Sequence, residues 1–230
     1  MALAIAEYLA AVTHLPPGAV LRVDDVPWEE YERLLADLGE GYAVRIFYDR
    51  GRMEIVAPTS THERAKSIVH ALVMALADEL DVDIESLGST TLRAQVSARG
   101  AEPDDCFYVQ NARLVIGKRE DLDLDRDPPP DLVVEIERTS ASLDKFPIYA
   151  ALGVPEIWRV IGREVRVFRL APDRYEESPT SRAFSFLTAH VLSAFVEQGL
   201  AEGRRGATRA FRAWIREHRG PTPEAWRLRG

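Results

Sequence analysis

A single cysteine, Cys106, serves the whole 230-residue chain. No internal disulfide can form, and a multi-cysteine zinc site is excluded. No apolar run reaches the roughly 20 residues needed to cross a bilayer as a helix. The opening stretch "MALAIAEYLAAVTHLPPG" lacks a basic n-region and is broken by Glu7. The expectation is therefore a cytoplasmic protein with no secretory signal and no membrane partner. Zinc-finger and helix-turn-helix signatures are missing, so no motif reads a DNA sequence. "GRRGATR" has no phosphate-loop lysine and follows no predicted strand, which excludes a nucleotide cradle. "DLDLDRD" imitates a calcium loop, but Arg126 stands where the sixth position needs glycine and Leu132 where the twelfth needs glutamate. A solvated acidic connector remains.

Positive charge is also in short supply, with 29 Lys and Arg against 37 Asp and Glu, a net of −8. Such a balance disfavours loose, charge-driven binding to nucleic acid. It is unevenly spread. From Arg204 onward eight arginines face only Glu217 and Glu224, so the tail is +6 and the remainder −14. The tail arginines can neutralise phosphates, or form the wet face of a helix that turns Phe211, Trp214 and Ile215 inward. Bound cations are one explanation for an acidic body.

What is present reads as alternating short elements. The pattern of residues 26–39 predicts an amphipathic helix closed by Gly39. "YAVRIFYDRGRMEIVAP" predicts a hairpin turning at Asp49, Arg50 and Gly51. Ile68, Val69, Leu72, Val73, Leu76 and Leu80 recur at helical spacing over residues 60–81. Strands are expected at 90–97, 105–110 and 132–137. A short helix over 144–152 should stop at Gly153, with Pro147 tolerated in its first turn. A hairpin around Gly162 and a mainly helical end after Leu187 complete the order, without internal repeats. The pattern favours an α/β or α+β fold with a mixed sheet flanked by helices. The expected organisation is an N-terminal helical segment at 1–40, a core at 41–190 and a helical, basic tail at 191–230.

The chemistry concentrates in "PPPDLVVEIERTSASLDKFPIYAALGVPEIW". Along the strand at 132–137, Leu132, Val134 and Ile136 share one face, while Val133, Glu135 and Glu137 share the other. The two glutamates can simply face water. Similarly, Asp104 and Asp105 in "EPDDCFY" can simply form a turn. Taken together, an Asp starting one strand and a Glu on a neighbouring strand can converge on a hard divalent cation, for which a few carboxylates suffice. A nearby lysine could polarise or help deprotonate an attacking water, or offset charge on a phosphorane-like transition state.

"EPDDCFY", "RMEIVAPTSTHE" and the long stretch from Pro128 to Trp158 together resemble the Uma2 (DUF820) family of endonucleases. That family lies within the PD-(D/E)XK restriction-endonuclease-like superfamily, and the resemblance runs over about residues 42–188. It implies a restriction-endonuclease-like core, Mg²⁺ or Mn²⁺ as cofactor and DNA as the nucleic-acid partner. Asp104 matches the aspartate of the PD motif and Glu135 the acidic residue of the next motif, both as metal ligands. The sequence departs from E-x-K, since Glu137 stands where that pattern has lysine. The resemblance takes the lysine from the following helix instead, where Lys145 and Tyr149 share a face at i,i+4 spacing.

Glu63 matches a further catalytic glutamate, although Ser60-x-x-Glu63 is also a capping-box pattern. His62, Asp105, Glu137 and Tyr149 are expected as supporting groups around the metal. A homodimer suits a cut through both strands. The other reading is a non-cleaving chain that keeps the fold as a nucleic-acid-binding or oligomeric scaffold. Cys106, within a strand and with no histidine partner in the sequence pattern, is expected as a buried thiol.

Overall fold

A computed structural model describes residues 12, 14–39, 42–118, 122–137 and 144–219. The expected N-terminal segment up to residue 11 and the basic tail beyond Arg219 lie outside these residues. The fold is α+β, with the expected mixed sheet accompanied by a second, wholly antiparallel one.

The antiparallel sheet is built from β1 (Val20–Val23), β2 (Arg45–Asp49), β3 (Arg52–Val56), β5 (Leu92–Ala94) and β6 (Arg99–Ala101), in the order β1-β3-β2-β6-β5. The β2–β3 hairpin pairs Asp49 with Arg52 across two residues, Arg50 at φ 47° and Gly51 at φ 92°. Two positive φ values in a two-residue loop match the twist of the flanking strands, which is why "DRGR" turns so tightly here. Helix α1 (Trp28–Leu38) packs beneath this sheet and ends at Gly39.

The mixed sheet contains β4 (Glu85–Ser86), β7 (Asp105–Tyr108), β8 (Leu132–Glu137), β9 (Glu156–Ile161), β10 (Glu164–Leu170) and β11 (Tyr175–Ser178), in the order β11-β10-β9-β8-β7-β4. Only β8 and β9 run parallel. A parallel pair needs a crossover, and here helix α4 (Phe146–Ala151) supplies it. Gly153 at φ 76° closes α4, and Pro155 blocks any continuation. Lys145 sits immediately before the first turn and Pro147 within it.

Helix α2 (Ser60–Leu80) covers one face of the mixed sheet, burying Ile68, Val69, Leu72, Val73 and Leu76 against Leu132, Val134 and Ile136 of β8. The other face of β8 presents Val133 to a second apolar cluster that includes Ile148 and Tyr149 of α4 and Phe47 of β2. β8 is thus covered on both faces, so its carboxylates enter low-dielectric surroundings.

Helices α5 (Ala189–Glu202) and α6 (Arg204–His218) close the first core over α2. Gly199 permits the close approach: a Cβ there would lie 2.8 Å from Ile68 Cγ2. Phe211 and Ile215 are fully buried, each contributing about 1.5–3 kcal/mol of burial. Arginines on and beside this buried stripe of α6 pair with α2. Arg212 Nη1 lies 3.2 Å from Glu79 Oε1, Arg216 Nε 2.7 Å from Glu79 Oε2, and Arg204 Nη1 donates to Ser67 Oγ at 2.6 Å. No described helix is long and apolar enough to cross a membrane.

Among the elements, β1, β4, β6, β11 and the one-turn helix α3 (Ala112–Val115) were not anticipated from the sequence pattern. Each has four residues or fewer, too short for periodicity to show. The stretch 1–40 thus contributes a strand as well as a helix.

Candidate active site

Antiparallel pairing of Asp105 with Val134, Cys106 with Val133 and Phe107 with Leu132 aligns β7 on β8. One step further, that register sets Asp104 opposite Glu135, on the same face of the sheet. Both carboxylates are buried, at 3% and 1% exposure. Asp104 Oδ2 accepts the Ile136 backbone N–H at 2.7 Å and lies 3.0 Å from His62 Nε2. Glu135 Oε2 receives Lys145 Nζ at 2.5 Å, and Glu135 Oε1 accepts from the Tyr149 hydroxyl. The i,i+4 spacing of lysine and tyrosine therefore delivers one donor to each oxygen of the same carboxylate. The ammonium also lies 4.0 Å from the centroid of the Phe47 ring, a favourable cation–π placement.

Burial and charge pull these groups apart in their protonation. Burial would raise Asp104, but the His62 hydrogen bond and the Lys145 charge outweigh it and hold the carboxyl below its ordinary value. Glu135 goes the other way. Burial pushes it up to about 7, opposed by Lys145 and reinforced by Asp104. Burial favours a neutral Lys145, yet the charges of Glu135 and Asp104 prevail and raise its pKa. Tyr149 is raised well above its usual range, first by burial and then by the Glu135 charge, so it remains a hydroxyl donor. Burial works against a protonated His62 too, but the hydrogen bond and charge of Asp104 raise it on balance.

Asp104, His62 and Lys145 line a cavity of about 80 Å³ together with Arg45 and Glu137, large enough for water. Glu137 turns toward β9 and accepts from Arg159 Nε at 2.6 Å. Glu63 sits at the rim, with 48% of its side chain exposed, 3.8 Å from both Arg45 Nη2 and His62 Nδ1. The capping-box reading of Ser60 and Glu63 is corrected: the N-cap is Thr59, whose side chain accepts from His62 N–H. Glu63 lies one residue too far along to complete that box, which leaves its carboxylate outside the cap. Asp105 is not brought to the cavity. It alternates to the opposite face of β7, where His70 Nδ1 lies 2.8 Å from its Oδ2. Cys106 is buried and its thiol is pushed up, chiefly by burial.

Arg45 and Arg159 were not picked out by the sequence reading. In "YAVRIFYDR" the alternation already separates Arg45 and Phe47 from Val44, Ile46 and Tyr48. Which sheet that face would meet depends on tertiary packing.

Among the described residues, no three His, Cys, Asp or Glu side chains cluster as a complete metal-binding group. Asp104 and Glu135 nevertheless fit a magnesium-like ion, which binds one or two carboxylates and keeps its remaining positions for water and substrate phosphate. Asp104 Oδ1 lies 4.0 Å from Arg45 Nε, beyond hydrogen-bond reach, and a carboxylate oxygen is the donor type that a hard cation takes.

A family model described as "Uma2: Putative restriction endonuclease" matches residues 28–201. No curated protein matches the chain. Among solved structures, the chain is similar to the crystal structure of "a putative nuclease belonging to DUF820" from Anabaena variabilis, with a TM-score of 0.50 and 14% identity. The likeness covers 74% of this chain and 99% of that one, and at this identity it speaks for the fold alone.

Proposed function

Because the chain belongs to the Uma2 family, we propose that it is a divalent-metal-dependent endonuclease that hydrolyses phosphodiester bonds in DNA, in the cytoplasm. The observation that carries this reading is the meeting of Asp104 and Glu135 on facing strands, with Lys145 Nζ 2.5 Å from Glu135. Asp104 and Glu135 would hold Mg²⁺ or Mn²⁺, which when bound polarises a phosphoryl oxygen and makes water a better nucleophile near neutral pH.

The chain's own groups have distinct tasks. Lys145, held beside Glu135, is placed to position or activate the attacking water. It donates hydrogen bonds to oxygens in the cavity and offsets negative charge gathering on the phosphoryl group. Tyr149, locked as a hydroxyl, fixes the orientation of Glu135. His62 and the Ile136 N–H hold Asp104 ionised. Glu137 and Glu63 border this group, Glu137 braced by Arg159 and Glu63 at the solvent edge. Cutting both strands of a duplex favours two copies related by a twofold axis, so the active form is read as a homodimer; analytical ultracentrifugation checks it.

One observation favours a non-cleaving scaffold instead: both oxygens of Glu135 are already taken by Lys145 and Tyr149. Incubation of purified protein with plasmid, single-stranded DNA and RNA, in Mn²⁺, Mg²⁺ or EDTA, separates the two. The nuclease reading expects DNA cleavage that disappears with EDTA and in Lys145→Ala, while circular dichroism stays native. No cleavage of any substrate, with no heat of metal binding in calorimetry, supports the scaffold.

A further inference from the structure

Two buried side-chain nitrogens that belong to residues lining the cavity of Asp104 and Lys145, Arg45 Nε and His62 Nδ1, lack a hydrogen-bond partner among the described residues. Native folds seldom leave a buried donor unmet, since it loses its water without gaining an acceptor. Arg45 is the more unusual of the two. Its side chain is only 14% exposed, and its one hydrogen bond among the described residues runs from Nη1 to the neighbouring Val44 carbonyl at 3.1 Å. Asp104 and Glu63 lie 4.0 and 3.8 Å away, near enough to feel its charge but beyond hydrogen-bond reach.

Arg45 stands two residues before Phe47 on β2, on the same strand face, and Phe47 is the ring beneath Lys145. The antiparallel sheet thus brings a guanidinium and an aromatic platform toward the carboxylates of the mixed sheet. Arg45 also borders a larger recess of about 650 Å³, whose walls carry Ser89, Thr90 and Thr91, Glu102, and Arg93 paired with Glu32. It therefore stands where the small cavity and the larger recess meet. A polyanion approaching two buried carboxylates on a chain of net charge −8 needs local cations, and a planar guanidinium with open N–H groups matches phosphate oxygens in geometry as well as charge.

We propose that Arg45 grips a DNA phosphate next to the scissile bond, with the larger recess receiving the strand on that side. The contact rests on the nuclease reading and specifies how that site holds its substrate. It is a binding contact, so its loss should appear in KM before kcat.

The test measures anisotropy of a fluorescein-labelled DNA 20-mer, single- and double-stranded, in EDTA across a KCl series, together with plasmid-cleavage kinetics in Mn²⁺. Arg45→Met should weaken binding by about tenfold or more. The slope of log affinity against log salt should drop by about one phosphate contact, roughly 0.7 for single strands or 0.9 for duplex. Arg45→Lys keeps the charge without the fork, and should keep the slope while KM rises. The lysine variant also serves if the methionine variant fails to melt cooperatively. Unchanged affinity, slope and KM in the folded variants would overturn the Arg45 contact and leave the nuclease reading standing. A wild-type chain that neither binds nor cuts either DNA form would overturn both.

Discussion

Two clusters of ion pairs in this protein use the same chemistry in opposite surroundings. At the β7–β8 face, Asp104 and Glu135 are buried and Glu135 pairs with Lys145. At the far end of α2, Glu79 and Asp78 meet Arg212 and Arg216 of α6 near solvent. Desolvating an ion pair costs more than its attraction repays unless the geometry is very good, so a buried pair is a poor stabilising device. Exposed pairs typically contribute about 0–1 kcal/mol. The inner cluster therefore calls for a functional reason, whereas the outer one is explained by docking α6 on α2. The contrast also bears on the basic tail: Arg204, Arg212 and Arg216 already engage α2 and are not simply available to phosphates.

The largest effect should follow from neutralising the inner cluster at its ionised end. Asp104→Asn keeps the shape but removes the charge that a cation requires, so calorimetry should show no heat of Mn²⁺ binding and plasmid should remain uncut. Retained Mn²⁺ affinity would move the metal elsewhere and erase the functional half of the contrast. Next comes Tyr149→Phe, which leaves Glu135 Oε1 without its donor in a buried setting. It should lower stability by about 1.5–3 kcal/mol in urea denaturation and reduce cleavage without abolishing it. An unchanged midpoint would mean that Glu135 does not depend on the hydroxyl.

The smallest effect belongs to the outer cluster. The hydrogen bond from Arg216, with help from Arg212 and against burial, holds the Glu79 carboxyl below its ordinary value. A depressed carboxylate contributes stability above its unfolded pKa and loses it as pH falls through the folded value. Glu79→Gln should therefore lower Tm slightly at pH 7. The difference should shrink in high salt and vanish as the pH falls through the lowered folded value. A difference that persists in acid would show that packing rather than charge holds α6 there.

Much of the inner cluster was readable because it obeys two local periods. Strand alternation put Glu135 on the face opposite Leu132 and Val134, and helical spacing put Lys145 and Tyr149 together. The resemblance supplied the pairing of Asp104 with Glu135, which strand pattern alone left as one option beside a turn. Asp105 shows the limit of adjacency: the same alternation that sends Asp104 to the cavity sends its neighbour to His70 on the other side. Glu63 depended on a one-residue choice of N-cap, Thr59 rather than Ser60. Arg45 could not be placed, because the carboxylates nearest it lie on α2 and beside β7, 18 and 59 residues further along the chain. The second sheet was hidden for a related reason, since β1 and β6 are short and are defined by the strands they pair with rather than by their own pattern.

The most direct measurement is the crystal structure of the protein soaked in Mn²⁺, read by anomalous scattering. The account expects a peak touching carboxylate oxygens of both Asp104 and Glu135, with the Lys145 ammonium beside it. Fully formed crystals with strong Mn²⁺ peaks elsewhere and none between those two carboxylates would contradict it.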